Sequence, residues 1–260
     1  MTTLSVNILS FNSEDTLDTC LQSVAWANEI IVFDSGSTDN SVAIAKKHTP
    51  HVYCTDWPGY AEQRERALNA STQKWVLTLD SDEAVEPALA RSIQTIIKKP
   101  VTHTGYRILR RDMIGKRCAR FSGVRKHIRL VLREAMRIEH RLIHEAIHVK
   151  SGSVTDIKQG ALLHKPFQNL ETIVTKNNDY TTLSATDLQH KKKGGLWCAV
   201  GHATWCFFKY YILKGGFLDG STGFVIAWAR TQHSFLRHIK IWYAQQSENL
   251  TLQKAFERSH

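Results

Sequence analysis

Short apolar runs alternate with amphipathic stretches through the first hundred residues, at the two periods expected of strands and helices. Leu4–Leu9 is an apolar run with β-branched content, and Asp15-Thr16 then caps a helix whose apolar face is Leu17, Cys20, Leu21 and Val24. Within Glu29–Asp34, Ile30-Ile31-Val32-Phe33 are consecutive apolar residues, as in a strand buried on both faces. Ser35-Gly36-Ser37-Thr38-Asp39 supplies a turn and an N-cap before a helix over Val42–Lys47. Val52–Cys54 predicts a third strand, Tyr60–Ala70 a helix and Trp75–Leu79 a fourth strand, after which Pro87 opens a helix toward Lys99. The succession β-α-β-α-β-α-β-α predicts an α/β fold with a parallel sheet and right-handed crossovers. Ligands of such sheets bind beyond the carboxyl ends of the strands. That rule singles out Ser10–Asn12, Asp34–Ser37, Asp56 and Asp80–Glu83.

Beyond residue 100 the pattern changes. Tyr106–Arg110, Ile128–Leu132 and Ile143–Val149 read as strands between basic loops, and Asn169–Thr186 and Ser221–Ala244 read as long helices. Lys191–Gly195 is the best linker candidate. The chain therefore divides into an expected catalytic domain, 1–165, and a basic, aromatic-rich, mostly helical extension, 166–260. The most apolar stretch, Leu196–Leu213, is interrupted by Gly201, His202 and Lys209 and falls short of a transmembrane span.

Composition sharpens this division. A content of 42% hydrophobic and 22% charged residues excludes a disordered chain. The net charge of +10 conceals an asymmetry: residues 1–100 hold 8 Lys+Arg against 13 Asp+Glu, a sum of −5, which leaves +15 for the remainder. Arg107–Arg133 contains ten basic residues and one acid, Asp112, and from Leu188 to Lys240 the only acid is Asp219. Such an excess suits nucleic acid, an anionic membrane surface or a phosphorylated substrate. The 5 cysteines are odd in number and never spaced C-x-x-C, which indicates reduced thiols rather than a disulfide frame or zinc knuckle. The first residues carry no basic region and no small-residue cleavage site, so a cytoplasmic protein is expected.

The candidate chemistry lies at the strand ends. Asp80-Ser81-Asp82 follows a buried strand directly, so both carboxylates leave the sheet where ligands bind. Hard oxygen donors there suit Mg²⁺ or Mn²⁺; the alternative is an acidic turn capping the next helix. Asp34 closes its strand in the same place and either accepts hydrogen bonds from a nucleoside or makes an Asx-turn into Ser35-Gly36. No G-x-G-x-x-G follows the first strand and no G-x-x-x-x-G-K-[ST] occurs, which disfavours Rossmann redox and P-loop chemistry.

Three segments taken together, Leu4–Asn12, Asp34–Asp39 and Leu79–Glu83, resemble family 2 glycosyltransferases of the GT-A fold. Asp56-Trp57-Pro58-Gly59-Tyr60 and Gly215-Gly216-Phe217-Leu218-Asp219-Gly220 extend the similarity to the subgroup that builds the lipopolysaccharide core. The resemblance implies a Rossmann-like, mostly parallel sheet flanked by helices, and a hexose transferred from a nucleotide-sugar, UDP-glucose in the typifying enzyme. It implies that Ser10, Phe11, Asn12, Asp34, Ser35 and Gly36 hold the nucleoside and that Arg64 meets the diphosphate, although Gln63 and Glu65 replace the family's usual neighbours. It assigns the metal–diphosphate to Asp80 and Asp82, an inverting general base to Glu145 with His144 beside it, and Glu83 as the reserve base. The implied partners are a nucleotide-sugar donor, a lipid-anchored lipopolysaccharide core and an anionic membrane surface at the inner face of the inner membrane.

Two rivals are weighed against this. His144-Glu145-Ala146-Ile147-His148 matches the H-E-x-x-H signature of zinc metallopeptidases, which needs a helix to bring both histidines to one face. Here Ile143, Ile147 and Val149 alternate as on a strand. The basic run Arg107–Arg133 also suits nucleic acid, but no recognised nucleic-acid-binding signature accompanies it. In the C-terminal third, Phe224, Trp228, Phe235, Ile239 and Trp242 share a helical face, either buried as core or turned toward a bilayer.

Overall fold

The computed structural model describes residues 3–139, 146–165, 170–188, 191 and 194–257. In chain order the first elements are β1 (Leu4–Ser10), α1 (Glu14–Ser23), β2 (Glu29–Asp34), α2 (Ser41–His48), β3 (Val52–Cys54), α3 (Tyr60–Ala70), β4 (Trp75–Asp80), β5 (Glu83–Val85) and α4 (Pro87–Lys98). Then come β6 (Gly105–Ile114), β7 (Arg117–Cys118), β8 (Val124–Leu132), β9 (Met136–Glu139), β10 (Ala146–Val149), β11 (Val154–Asp156) and β12 (Leu162–His164). Helices α5 (Leu170–Leu188), α6 (Leu196–Phe207) and α7 (Gly220–Glu257) complete the chain, with a π-helical turn, Phe208–Leu213, between the last two.

Every residue of β1 is buried, and the strand sits between two parallel neighbours, β2 on one side and β4 on the other. β3 extends the sheet beyond β2, again in parallel. On the far side β4 pairs with β8 and β8 with β6, both antiparallel, and β12 then runs parallel to β6 and antiparallel to β5. The order is β3-β2-β1-β4-β8-β6-β12-β5. The fold is the α/β arrangement that the first hundred residues predict and the GT-A-like one that the resemblance implies, with a helical C-terminal region.

Packing follows the sequence pattern. One face of the sheet (Leu4, Val6, Ile8, Leu77, Leu79) meets Leu17 and Leu21 of α1 and the i, i+4, i+8 row Leu89, Ile93 and Ile97 of α4, all buried. Each such side chain contributes about 1.5–3 kcal/mol by burial. The other face is covered more thinly, Ala67 of α3 packing on Leu9, Ile31 and Phe33. Helix α1 begins at Glu14 with Ser13, rather than Asp15-Thr16, in the cap position. The Ser13 carbonyl accepts the first helical N–H groups, and Glu14 and Asp15 occupy the first turn, where the helix dipole favours acids.

The residues group into two compact units, 1–113 with 124–166, and 114–123 with 167–260. In the second unit, the aromatic positions on α7 are not its buried ones. Thr222, Ile226, Ala227, Ser234, His238 and Ile241 are buried, whereas Phe224, Trp228 and Trp242 are exposed. Lys240 is drawn inward, its Nζ lying 2.7–2.9 Å from Asn178 O, Asn178 Oδ1, Thr181 Oγ1 and Thr182 Oγ1 of α5, among which its three N–H groups are shared. Among the described residues, no helix is long and apolar enough to cross a membrane.

Candidate active site

Strand register builds the site. Ser10 pairs with Asp34 across β1 and β2, and Leu9 pairs with Asp80 across β1 and β4, so these residues form a row at the carboxyl edge. The chain runs outward from β1 through β2 to β3 and resumes on the opposite side with β4. That reversal is the position at which parallel sheets open a crevice for ligands.

Around Asp80-Ser81-Asp82 lies a charged network. Asp80 accepts from Arg64 Nη2 at 2.6 Å through Oδ1 and from Arg129 Nη2 at 2.8 Å through Oδ2. Burial opposes its ionisation, but Arg129 and Arg64 outweigh it and hold the carboxyl well below its ordinary range. Glu83 is fully enclosed: Oε1 takes Arg129 at 2.8 Å and Arg110 at 3.4 Å, and Oε2 accepts the Asp80 N–H at 3.0 Å. Burial raises its pKa, with Arg129 partly offsetting the shift. Asp82 faces His164, whose Nε2 lies 3.5 Å from Oδ2, while the His164 Nδ1 is 2.8 Å from Asp112 Oδ1. Burial disfavours the imidazolium, yet these two carboxylates prevail and raise His164 to about 9. Asp82 Oδ1 is buried and has no hydrogen-bond partner among the described residues. This hard oxygen, beside a second carboxylate, fits a divalent cation that keeps much of its own water.

On the nucleoside side, Asp34 is buried and builds its own loop, Oδ1 accepting the N–H groups of Gly36 (3.1 Å) and Ser37 (2.7 Å) and Oδ2 the Ser37 hydroxyl (2.6 Å). Asn12, at φ 45°, donates its N–H to Ser37 Oγ and accepts the Thr38 N–H through Oδ1. Phe11 is exposed and Ser10 buried. The Ser13 and Ser81 hydroxyls meet at 2.7 Å, tying this loop to the segment that carries Asp80 and Asp82. Gln63 is fully buried, its Nε2 donating to Thr55 Oγ1 (2.8 Å) and Ser35 Oγ (3.1 Å), which fastens α3 to the loops after β2 and β3.

The structure thus brings together Ser10, Asn12, Asp34, Ser35, Gly36, Arg64, Asp80, Asp82 and Glu83. His144 and Glu145 lie outside the described residues. Arg110, Asp112, Arg129 and His164 are contributors that motif reading does not find. Two belong to the basic run, and the signal available for a third was Asp112 itself, a lone acid among ten bases. Several bases of that run are paired with acids: Arg107 and Lys126 with Asp156, Arg110 with Glu83, Arg111 with Glu86, Arg129 with Asp80 and Glu83. Of the H-E-x-x-H segment, Ala146–Val149 is strand β10, in antiparallel register with β9, and His148 Nε2 lies 2.7 Å from Glu139. His148 therefore stands on a strand, along which residues four apart lie about 13 Å from one another, too far to share one zinc ion as the helical i, i+4 pair of a metallopeptidase does.

Residues 5–211 match the family model described as glycosyl transferase family 2. The chain belongs to that family. The enzyme is a glycosyltransferase. It is 28% identical over 248 residues to "Lipopolysaccharide core biosynthesis glycosyltransferase LpsC" of Rhizobium meliloti (strain 1021), covering 92% of each chain. It is 27% identical over 255 residues to the uncharacterized glycosyltransferase RC0292 of Rickettsia conorii, covering 92% of this chain and 89% of that one. Among solved structures, S. aureus TarS 1–349 aligns over 95% of this chain and 92% of its own, with 14% identity and a TM-score of 0.48.

Proposed function

We propose that this glycosyltransferase transfers a hexose with inversion, glucose from UDP-glucose, onto a lipid-anchored lipopolysaccharide inner core, with Mg²⁺ or Mn²⁺ as cofactor. The observation that carries the metal reading is Asp82 Oδ1, a buried and unpartnered carboxylate oxygen at the carboxyl end of the central sheet. Asp82 would be the principal ligand. Asp80, already bridging two guanidiniums, would share its charge between them and the ion. When bound, such an ion neutralises negative charge that grows on the departing diphosphate.

The chain's own residues account for the remaining steps. Ser10–Asn12 and the Asp34–Gly36 loop would hold the nucleoside, and Arg64 would face the diphosphate. In the transfer, an acceptor hydroxyl oxygen bonds to the anomeric carbon while that carbon's bond to the phosphate oxygen breaks, and UDP leaves with the electron pair. The hydroxyl proton passes to a carboxylate base. That role is assigned to Glu145 on family resemblance, with His144 beside it. Glu83, enclosed and bound to Arg129 and Arg110, is suited instead to positioning those arginines.

The acceptor reading rests on similarity to LpsC and on the surface of the second unit. Trp197, Trp205, Phe208, Leu213, Leu218, Phe224 and Trp228 are exposed, and a 540 Å³ groove lined by Val200, Ala203, Phe207, Phe224, Trp228 and Leu236 runs between α6 and α7. Aromatic and basic residues together suit an anionic bilayer, and peripheral attachment there would present a lipid-anchored acceptor. The deciding experiment measures sugar transfer from a panel of UDP-sugars to heptose-terminated core, with Mg²⁺, Mn²⁺ or chelator. UDP-glucose is expected to serve, chelation to abolish transfer, and Asp82→Ala to lower it at least about 100-fold. Undiminished transfer by Asp82→Ala, or in chelator, would overturn the metal assignment.

A further inference from the structure

One cluster in the second unit has a chemistry that sugar transfer does not use. Cys198 and His202 stand one helical turn apart on α6, so their side chains leave the same face of that helix. His238 comes from α7, and one ligand atom from each of the three lies within 4.8 Å of the others. Cys198 Sγ is 3.8 Å from His238 Nδ1, and the rings of His202 and His238 stack with centroids 4.4 Å apart and planes 6° apart. His238 is buried, Cys198 half-buried and His202 exposed.

A thiol and two imidazoles form a donor set for a borderline-soft cation. Mg²⁺ and Mn²⁺ prefer oxygen donors. The only acid between Cys198 and His238 in the sequence, Asp219, is engaged elsewhere: its carboxylate accepts the N–H groups of Arg120, Phe121 and Ser122. We propose that Cys198, His202 and His238 bind a zinc ion that joins α6 to α7, with a fourth position open on the exposed His202 side. Zinc–sulfur and zinc–nitrogen bonds in a tetrahedron put ligand atoms about 3.3–3.6 Å apart, so binding requires the cluster to close by roughly 1 Å and the stacked imidazoles to turn out of their parallel planes, because each ring nitrogen's lone pair lies in its ring plane. On binding, the Cys198 thiol releases its proton to solvent and both imidazoles bind as the neutral form. The site is invisible to motif spacing because one ligand lies on a different helix, 36 residues beyond His202.

The test uses the full-length chain stripped with chelator and dialysed. One equivalent of Co²⁺ is expected to give intense tetrahedral d–d bands and a thiolate-to-cobalt charge-transfer band, which oxygen donors such as Asp80 and Asp82 do not produce. Zn²⁺ is expected to displace the cobalt and to raise Tm by about 5 °C at a hundredfold excess over Kd. His202→Ala alters an exposed position, so the fold is retained by circular dichroism while affinity falls at least about tenfold. Cys198→Ser removes the charge-transfer band. The proposal fails if the band is absent in the wild-type chain, if it survives in Cys198→Ser and so belongs to another thiol, or if His202→Ala binds as tightly as wild type.

Discussion

Arg129 stands between two carboxylates that the chain places three residues apart, 2.8 Å from Asp80 and 2.8 Å from Glu83. Glu83 has no exposed side-chain surface, so removing the guanidinium leaves a buried charge whose nearest remaining guanidinium among the described residues is Arg110, at 3.4 Å. Breaking one side of a buried pair in this way costs about 3–5 kcal/mol. Arg129→Ala is therefore expected to lower the urea midpoint sharply, and Glu83→Gln in the same chain to recover part of the loss, because the uncompensated charge is gone. A double-mutant cycle checks this, with a coupling of about 1–3 kcal/mol expected; additive effects would show that the two side chains act independently. At this scale the sequence was half legible. Asp80 and Asp82 could be read because they follow a buried apolar run, and Asp34 for the same reason. Arg129, Arg110, Asp112 and His164 could not, because antiparallel pairing of β8 and β6 and the register of β12 bring them in across 27 to 82 residues of chain.

Elements were legible in proportion to how much periodic burial each contains. β1, β2, β4 and the helices between them run long enough for the apolar pattern to repeat, and their predicted spans match the observed ones within a residue or two. β5, β9, β11 and β12 have three or four residues each, too few for a period to emerge, and they exist because a neighbouring strand edge offers hydrogen bonds. The glycine-rich segment 215–220 shows a different limit. Its resemblance to a known motif was visible, but its structural work was not. Gly215 and Gly220 adopt φ +67° and +60°, and a Cβ on Gly216 would stand 2.6 Å from the Tyr210 carbonyl oxygen. This tight turn aims Asp219 at residues 120–122, where Oδ2 takes the Phe121 and Ser122 N–H groups and the Ser122 hydroxyl, and Oδ1 takes the Arg120 N–H. Burial works against the ionised form, but these donors hold the carboxyl below its ordinary range. Asp219→Asn presents an NH₂ donor to a backbone donor whichever way the amide turns, so it is expected to release the 114–123 segment. Faster tryptic cleavage after Lys116, Arg117 or Arg120 than in wild type would register that release; unchanged cleavage would show that the carboxylate is dispensable.

Across the whole molecule, the charge of +10 separates by sign and by use. The acidic first hundred residues supply Asp34, Asp80, Asp82 and Glu83 at one sheet edge, while part of the basic excess is paired with Asp80, Glu83, Glu86 and Asp156. What remains exposed on the second unit includes Lys116, Arg117, Arg120, Lys209 and Lys214. In the same unit, Trp197 is 85% exposed and Trp205 56%, about two turns apart on α6. Large apolar side chains and cations left in solvent on one unit are the combination that binds an anionic bilayer, since the rings enter the interface and the cations meet lipid phosphates. If that is their role, the protein will co-sediment with vesicles containing phosphatidylglycerol and much less with pure phosphatidylcholine. Trp197→Ser with Trp205→Ser will weaken binding by roughly tenfold or more, because each ring forfeits on the order of 1–2 kcal/mol of burial. Raising salt to about 0.5 M shortens the screening length to a few ångströms and should release the wild type as well. Transfer to a soluble, deacylated acceptor should survive both treatments of the surface, whereas transfer to acceptor in vesicles should fall with binding. Equal sedimentation of wild type and double variant would assign these tryptophans to contacts other than the membrane.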